Sequence, residues 1–285
     1  MVREWCSALA NGLVRAGHEN LAAPLLRGDP PLTAVMCCYA PPPRGQQGTG
    51  PGEPLDIAEL DVADEVAGEW LRYATGSPRR KDAAEAELAL RRLAAPAGGE
   101  QSPTVVAVRA AGLLDRIPYF SDVAVGLGST LRINPALSEV TGYLTRQTVR
   151  DEAIARCRAL IDADTRVVIA HSLGTAVAYE TLRGCPHTVP LFVTLGSPLG
   201  LRLFRHRFEQ ASAWPVRVQR WLNLASPADL VAARPDLGPF YGQDMPTGAR
   251  LDQHLNIDNT ARPHRVGFYL EHEACGRAVA DVLGK

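Results

Sequence analysis

The pattern of apolar and polar positions predicts strands that alternate with helices in the second half of the chain. Two of the four predicted strands are apolar runs rich in β-branched or aromatic residues, which is typical of buried strands, and the other two mix apolar with polar residues. These predicted strands are Val167–Ile169, Leu191–Pro198 with its final turn, Val216–Ala225 and Leu251–Ile257. Helical periodicity follows at Thr175–Leu182 and within His264–Leu283. Strands that alternate with helices indicate a parallel sheet, whose ligands bind at the carboxyl ends of the strands.

The first half of the chain is mostly helical in pattern. Apolar residues at helical spacing predict helices, and one further apolar run, Leu32–Ala40, predicts a strand. The predicted helices are Val2–Ala16, Asp56–Thr75 in two pieces around Gly68, Lys81–Ala95, Thr104–Ile117 (where strand is the alternative), Asn134–Leu144 and Thr148–Ala163. The segment Arg44–Pro54 is rich in Gly, Pro and Gln, which indicates a surface loop or a disordered segment.

The run that joins the first predicted strand to its helix carries a serine at the tip of a sharp turn. Residues 170–174 read Ala-His-Ser-Leu-Gly, close to the G-x-S-x-G turn that exposes a nucleophilic serine, although Ala170 replaces the first glycine. Ala170 and Gly174 are small, as a close approach of strand and helix requires. The Leu173 amide at the helix start would face a developing oxyanion. The alternative is a buried strand followed by a helix that Ser172 caps.

A serine hydroxyl needs a base to take its proton, and the base needs an acid that fixes its tautomer. In α/β-hydrolases these residues occur in the order serine, acid, histidine. Asp229 is the best-placed acid because it directly follows a predicted strand and a Ser-Pro turn, although it could instead cap a helix from Leu230. The rival acids are Asp236, Asp244, Asp252 and Asp258.

His264 is the predicted base because it lies in the loop between the last predicted strand and the last helix. His171 adjoins the serine, and we expect its ring to point elsewhere. The other histidines precede Asp229 or lie inside predicted elements. They are His18, His187, His206, His254 and His272.

Four segments in this order resemble the α/β-hydrolase superfamily, and more narrowly bacterial lipase-like and esterase-like serine hydrolases with a helical cap. The segments are Val168–Glu180, Val193–Gly200, Trp221–Val231, and Asp258–Asn259 with His264 and Tyr269–Leu270. The resemblance implies Ser172 as nucleophile, His264 as base, Asp229 as orienting acid and the Leu173 amide as an oxyanion donor. It also implies an α/β-hydrolase fold: a mostly parallel central sheet flanked by helices, with residues 1–55 and 145–285 as core and 56–144 as an inserted cap.

One feature of the superfamily is missing. Its members usually begin with a strand that ends in His-Gly, and the following loop gives the second oxyanion donor. This sequence has no His-Gly and opens on the helix expected after that strand. Either the chain starts late or another loop supplies the donor, and losing one donor can cost about 10²- to 10³-fold in rate.

Composition and net charge limit the classes of partner that we expect this protein to bind. The 285 residues have a net charge of −1 without a basic block, so neither nucleic acid nor an anionic membrane is indicated. No apolar run approaches the roughly 18 residues of a membrane span, and the charged N-terminus does not resemble a signal peptide, so we expect a cytoplasmic protein. The six cysteines lack metal-ligand spacing, and we expect neither metal nor organic cofactor.

The function predicted from these residues is hydrolysis of an ester or thioester of a small acyl or otherwise lipophilic substrate through an acyl-enzyme. Two alternatives stay open. The same triad could pass the acyl group to an amine or alcohol, as in an acyltransferase, a cyclase or a biosynthetic thioesterase. The fold could also serve as a binding module without catalysis, which the missing His-Gly strand favours. The sequence leaves the oligomeric state open.

Overall fold

The computed structural model describes residues 2–28, 34–35, 37, 55–94, 109–121, 134–207 and 213–284. The predicted strand Leu32–Ala40 lies almost entirely outside the described residues. The loop Arg44–Pro54 and residues 104–108 of the predicted helix Thr104–Ile117 also lie outside them. Within the described residues the chain forms two compact units.

The first unit contains a four-stranded parallel sheet with helices on both faces. It comprises the described residues of Met1–Tyr39, Ala153–Gly200 and Phe208–Lys285. Its strands are β1 (Val167–His171), β2 (Val189–Leu195), β3 (Val218–Leu224) and β4 (Arg250–His254), which pair in chain order, all parallel. The predicted mixed α/β architecture with a parallel sheet is confirmed. β4 ends three residues earlier than predicted, and Ile257 instead donates its amide to the Ala225 carbonyl at 3.1 Å.

One face of the sheet packs on helices from the two ends of the chain. Leu191, Val193 and Leu195 of β2 point to this face, as their two-residue spacing requires. They meet α1 (Val2–Arg15) and the final helix of the chain, which spans Glu273–Leu283. A Cβ at Gly276 would lie 2.1 Å from the Gly12 carbonyl oxygen, so these helices approach as closely as two glycines allow.

The opposite face is aromatic. Trp221 of β3 is fully buried and lies 5.0 Å from Phe192 of β2, measured between ring centroids. Tyr179 and Tyr241 complete the cluster, with ring centroids 5.8 and 5.3 Å from Trp221. Tyr179 belongs to the helix Gly174–Arg183, which directly follows β1. Both faces are therefore covered, as the continuous apolar character of the strands predicts.

The remaining helices of this unit refine the sequence prediction. The structure adds α2 (Glu19–Arg27), which the sequence pattern did not predict because the segment contains Pro24 and has no side-chain cap at its start. The C-terminal segment predicted to contain the closing helix holds two helices, Val266–Leu270 and Glu273–Leu283. The break between them falls at residues 271–272.

The second unit comprises the described residues of Ala40–Glu152 together with Leu201–Arg207. Its described helices are α3 (Ile57–Ala74), α4 (Arg80–Ala94), α5 (Arg109–Leu114), α6 (Pro118–Ser121), α7 (Pro135–Thr145), the start of α8 (Gln147–Arg158), and α10 (Arg202–Arg207). The label α9 belongs to the helix Gly174–Arg183 of the first unit. Trp70 of α3 stacks on Phe120 at 5.2 Å between ring centroids. Glu59 accepts two hydrogen bonds from the Arg146 guanidinium, at 2.6 and 2.9 Å.

The predicted break of α3 at Gly68 is wrong. The helix runs without interruption from Ile57 to Ala74, and Asp56 with Glu59 closes a capping box at its start. The flanking residues Ala67, Trp70 and Leu71 are almost fully buried. Their burial offsets the roughly 1 kcal/mol that a glycine costs inside a helix. None of the helices in the described part of the chain combines the length and hydropathy that crossing a bilayer demands.

Candidate active site

Ser172 occupies a strained turn between β1 and α9. Its φ is +54°, a left-handed conformation that only one other described non-glycine residue, Arg234, shares. The Ser172 amide donates to the Leu195 carbonyl at 3.0 Å, so the neighbouring strand holds the turn from one side. The Ser172 carbonyl accepts from the Thr175 amide and the Thr175 hydroxyl, at 2.9 and 2.7 Å. This backbone strain is typical of a functional position.

The close approach of strand and helix that was expected to require a small residue at Gly174 is not observed among the described residues. A Cβ added there meets no heavy atom within 4 Å outside the helix's own backbone. Ala170 is buried at the end of the strand, as expected. The close approach near the serine occurs at Gly196 instead, after β2.

The structure brings Ser172, His264 and Asp229 into one hydrogen-bonded chain. His264 Nδ1 lies 2.9 and 3.0 Å from the two Asp229 carboxylate oxygens, and His264 Nε2 lies 2.8 Å from Ser172 Oγ. Because an ionised carboxylate only accepts, Nδ1 carries the hydrogen and Nε2 is left to accept from the serine hydroxyl. This is the geometry that an acid, a base and a nucleophile require of each other.

Asp229 is fully buried and has donors besides the histidine. It follows β3 in a turn in which the Asp229 amide donates to the Ser226 carbonyl at 3.0 Å. Its Oδ1 accepts from the Val231 amide at 3.2 Å, and its Oδ2 from the Tyr269 hydroxyl at 2.7 Å. No helix begins at Leu230, so the alternative interpretation of Asp229 as a helix cap is wrong. Its donors instead stabilise a buried negative charge.

Gly196 lies directly against Asp229 and His264. Its φ is +53°, and a Cβ at this position would lie 2.6 Å from Asp229 Oδ2 and 3.4 Å from His264 Nδ1. Any larger residue would displace the carboxylate. Gly196 lies within the segment Val193–Gly200, whose resemblance implied no role for it. The sequence signal that could have identified Gly196 is its position at the end of a predicted buried strand.

His171 is also part of the site, contrary to expectation. Its ring centroid lies 4.5 Å from that of His264. Its Nε2 lies 3.0 Å from the His264 carbonyl oxygen and must donate, since a carbonyl only accepts. Burial, and then the nearby His264, lower the pKa of His171 to about 3. The prediction that this ring points elsewhere is therefore wrong, and His171 is a neutral donor to the backbone of His264.

The rival residues have other contacts. Asp236 accepts from the Gly238 amide at 3.0 Å, Asp252 from Arg220 at 2.6 Å and Asp258 from the Thr260 hydroxyl at 2.8 Å. His272 caps the last helix by accepting from the Ala274 amide, and its ring lies 5.9 Å from that of His254. Within the described ranges, no three His, Cys, Asp or Glu side chains are grouped in a way that could hold a metal ion.

The Leu173 amide directly follows the serine at the start of α9. Leu173 has helical dihedral angles and its amide donates to no backbone carbonyl of the described residues. The first amides of a helix lack intrahelical partners and carry a partial positive charge. An amide of this kind can donate to a negatively charged oxygen, which is the chemistry that the sequence predicts for Leu173.

The chain matches no family model, no curated protein and no solved structure.

Proposed function

We propose that this protein is a serine hydrolase of the α/β-hydrolase fold that cleaves an ester or thioester through an acyl-enzyme. One observation supports this above all others: the chain of hydrogen bonds from Ser172 Oγ through both nitrogens of His264 to the buried Asp229, at 2.8 and 2.9 Å. The parallel sheet also supports the proposal. Ser172 directly follows β1, Asp229 lies in the loop after β3, and His264 lies in the loop after β4, so each residue follows the carboxyl end of a strand.

The first half of the reaction forms the acyl-enzyme. Ser172 Oγ attacks the substrate carbonyl carbon while His264 Nε2 takes the hydroxyl proton, and the carbonyl oxygen becomes an oxyanion. Asp229 stabilises the imidazolium that forms. The tetrahedral intermediate then collapses, the bond to the leaving oxygen or sulfur breaks, and His264 returns the proton to that atom.

The second half releases the product. A water molecule gives its proton to His264 Nε2 and attacks the acyl carbon, and the bond to Ser172 Oγ breaks as that oxygen regains the proton. The net reaction adds one water to the ester and yields an acid and an alcohol or thiol. The Leu173 amide is the proposed oxyanion donor in both halves.

The proposed substrate class rests on the predicted helical cap, residues 56–144. Its apolar residues favour a small acyl or otherwise lipophilic compound, and the proposed reaction uses only the named side chains and water. If water is excluded from the acyl-enzyme, the same triad transfers the acyl group to an amine or alcohol instead.

Turnover of p-nitrophenyl esters of increasing acyl length tests the proposal. We expect hydrolysis by the wild-type protein that Ser172→Ala reduces by about 10³-fold or more. A matched variant, Asp236→Asn, alters a rival acid outside the hydrogen-bonded chain and should keep wild-type turnover. Products formed with and without a competing alcohol separate hydrolysis from acyl transfer. Equal turnover by wild-type protein and Ser172→Ala would contradict the proposal.

A further inference from the structure

Tyr269 is a fully buried residue that the reaction described above does not use. It lies in the helix Val266–Leu270, which begins two residues after His264. Its hydroxyl donates to Asp229 Oδ2 at 2.7 Å and also lies 3.3 Å from the Pro263 carbonyl oxygen. Tyr269 lies within one of the segments that carry the resemblance, which implied no role for it.

We propose that Tyr269 is a positioning residue, whose hydroxyl fixes the Asp229 carboxylate and couples it to the segment that carries His264. This inference rests on the proposed function, because it assigns Tyr269 an effect on the same triad.

The Asp229 carboxylate receives hydrogen bonds on both of its oxygens. Asp229 is fully buried, and its Oδ1 accepts from the Val231 amide while its Oδ2 accepts from the Tyr269 hydroxyl. His264 Nδ1 approaches both oxygens almost equally. Without the hydroxyl, Oδ2 loses a 2.7 Å hydrogen bond from a buried donor. A buried charge responds strongly to the loss of a donor.

The hydroxyl remains a donor over the whole working range of pH. Burial, and then the adjacent Asp229 charge, raise the pKa of Tyr269 well above its ordinary value. The phenol therefore stays protonated wherever the triad can work. It does not compete with His264 for the role of base.

The second contact of the hydroxyl reaches the backbone beside the base. The Pro263 carbonyl directly precedes His264 and accepts from the Asn259 side-chain amide at 2.7 Å as well as facing Tyr269. Gly196 lets the tyrosine ring lie close, since a Cβ there would be 3.2 Å from Tyr269 Cε2. The single hydroxyl hydrogen goes to Asp229 Oδ2, and Tyr269 belongs to the helix that directly follows His264, so this residue joins the Asp229 carboxylate to the segment that carries His264.

This arrangement has a consequence for pH dependence that packing alone would not produce. The tyrosine hydrogen bond shares the negative charge of Asp229, which weakens the attraction of the carboxylate for a protonated His264. Removing the hydroxyl leaves more of that attraction to the histidine, so the protonated, inactive base persists to higher pH. We expect the acidic limb of the rate profile to move up by about half a unit to one unit.

The experiment measures the rate at which a fluorophosphonate probe labels the protein between pH 5 and 9. Compared with wild type, Tyr269→Phe should show the upward shift of the acidic limb and an about tenfold lower plateau rate. The matched control is Tyr241→Phe, which removes another buried hydroxyl, one that donates to the Leu199 carbonyl at 2.9 Å. It should keep the wild-type profile.

The outcomes separate the two proposals. Labelling of the wild type but not of Ser172→Ala, with an unshifted acidic limb in Tyr269→Phe, overturns the role of Tyr269 and leaves the proposed function standing. Absence of wild-type labelling overturns both. If Tyr269→Phe does not fold, the same profile is measured with 3-fluorotyrosine at position 269, whose hydroxyl is a stronger hydrogen-bond donor than that of tyrosine. The acidic limb should then move to lower pH, and an unchanged limb would contradict the proposal.

Discussion

Gly196 and Asp229 lie so close that the glycine has no room for a side chain. A Cβ at Gly196 would be 2.6 Å from Asp229 Oδ2, well inside van der Waals contact. The same position has a φ of +53°, which L side chains rarely adopt. The buried acid of the candidate site therefore depends on a glycine at the end of the adjacent strand.

Gly196→Ala should damage the site more than it damages the fold. The carboxylate must move by several tenths of an ångström or more, which breaks its alignment with His264. We expect an about 10²-fold loss of esterase activity, because small misplacements of catalytic groups have effects of this size. The strained backbone should also lower the free energy of unfolding by about 1–2 kcal/mol, measured by urea denaturation.

Gly248→Ala is the matched control for this variant. Gly248 also has a positive φ, +85°, but a Cβ there meets nothing within 4 Å. Its replacement should cost a similar amount of stability and leave activity unchanged. Equal activity in Gly196→Ala and Gly248→Ala would show that the contact with Asp229 does not matter.

Asp229→Asn tests the orienting acid without changing its size. An asparagine amide can donate to His264 Nδ1 and so favours the wrong tautomer, in which Nε2 no longer accepts from Ser172. We expect a loss of about 10³- to 10⁴-fold in kcat. Asp252→Asn, at a rival acid that pairs with Arg220 on β3, should instead retain kcat. Wild-type kcat in Asp229→Asn would refute the assigned order of serine, acid and base.

His171 should make the protein less stable in acid. The pKa of His171 is lowered from 6.5 to about 3 in the folded protein, so the unfolded chain binds more protons between these pH values. Stability therefore falls as pH drops from about 6.5 toward 3, by up to about 1.4 kcal/mol for each pH unit from this residue. Urea denaturation at several pH values should show a shallower decline in His171→Gln, which cannot titrate there. An identical decline would contradict the neutral donor assigned to His171.

The turn at Ser172 and the strands of the parallel sheet were predictable because their signals lie in short stretches of sequence. The run Val167–Ile169 is apolar and β-branched, and the serine follows at the point where a small-residue turn begins a helix. The partners Asp229 and His264 were found by combining chain order with proximity to strand ends. The structure places both within hydrogen-bonding distance of their neighbours.

The supporting contacts could not be predicted because they depend on side-chain direction in three dimensions. The rings of His171 and His264 meet although the two residues are 93 positions apart, so no local sequence signal marks the contact. The contact between Tyr269 and Asp229, which are 40 positions apart, has no local signal either. The error at Gly68 has a different origin. A glycine inside a helix lowers its stability locally, but the burial of Trp70 and Leu71 offsets that cost, and only tertiary packing reveals this burial.

The most direct test of the proposed function is to map the site of reaction with a fluorophosphonate probe by peptide mass spectrometry. The account predicts a single stoichiometric adduct on Ser172 in the wild-type protein, no adduct in Ser172→Ala, and labelling slowed by at least about 10²-fold in His264→Ala. An unlabelled wild-type protein, an adduct on a different residue, or wild-type labelling rates in His264→Ala would contradict it.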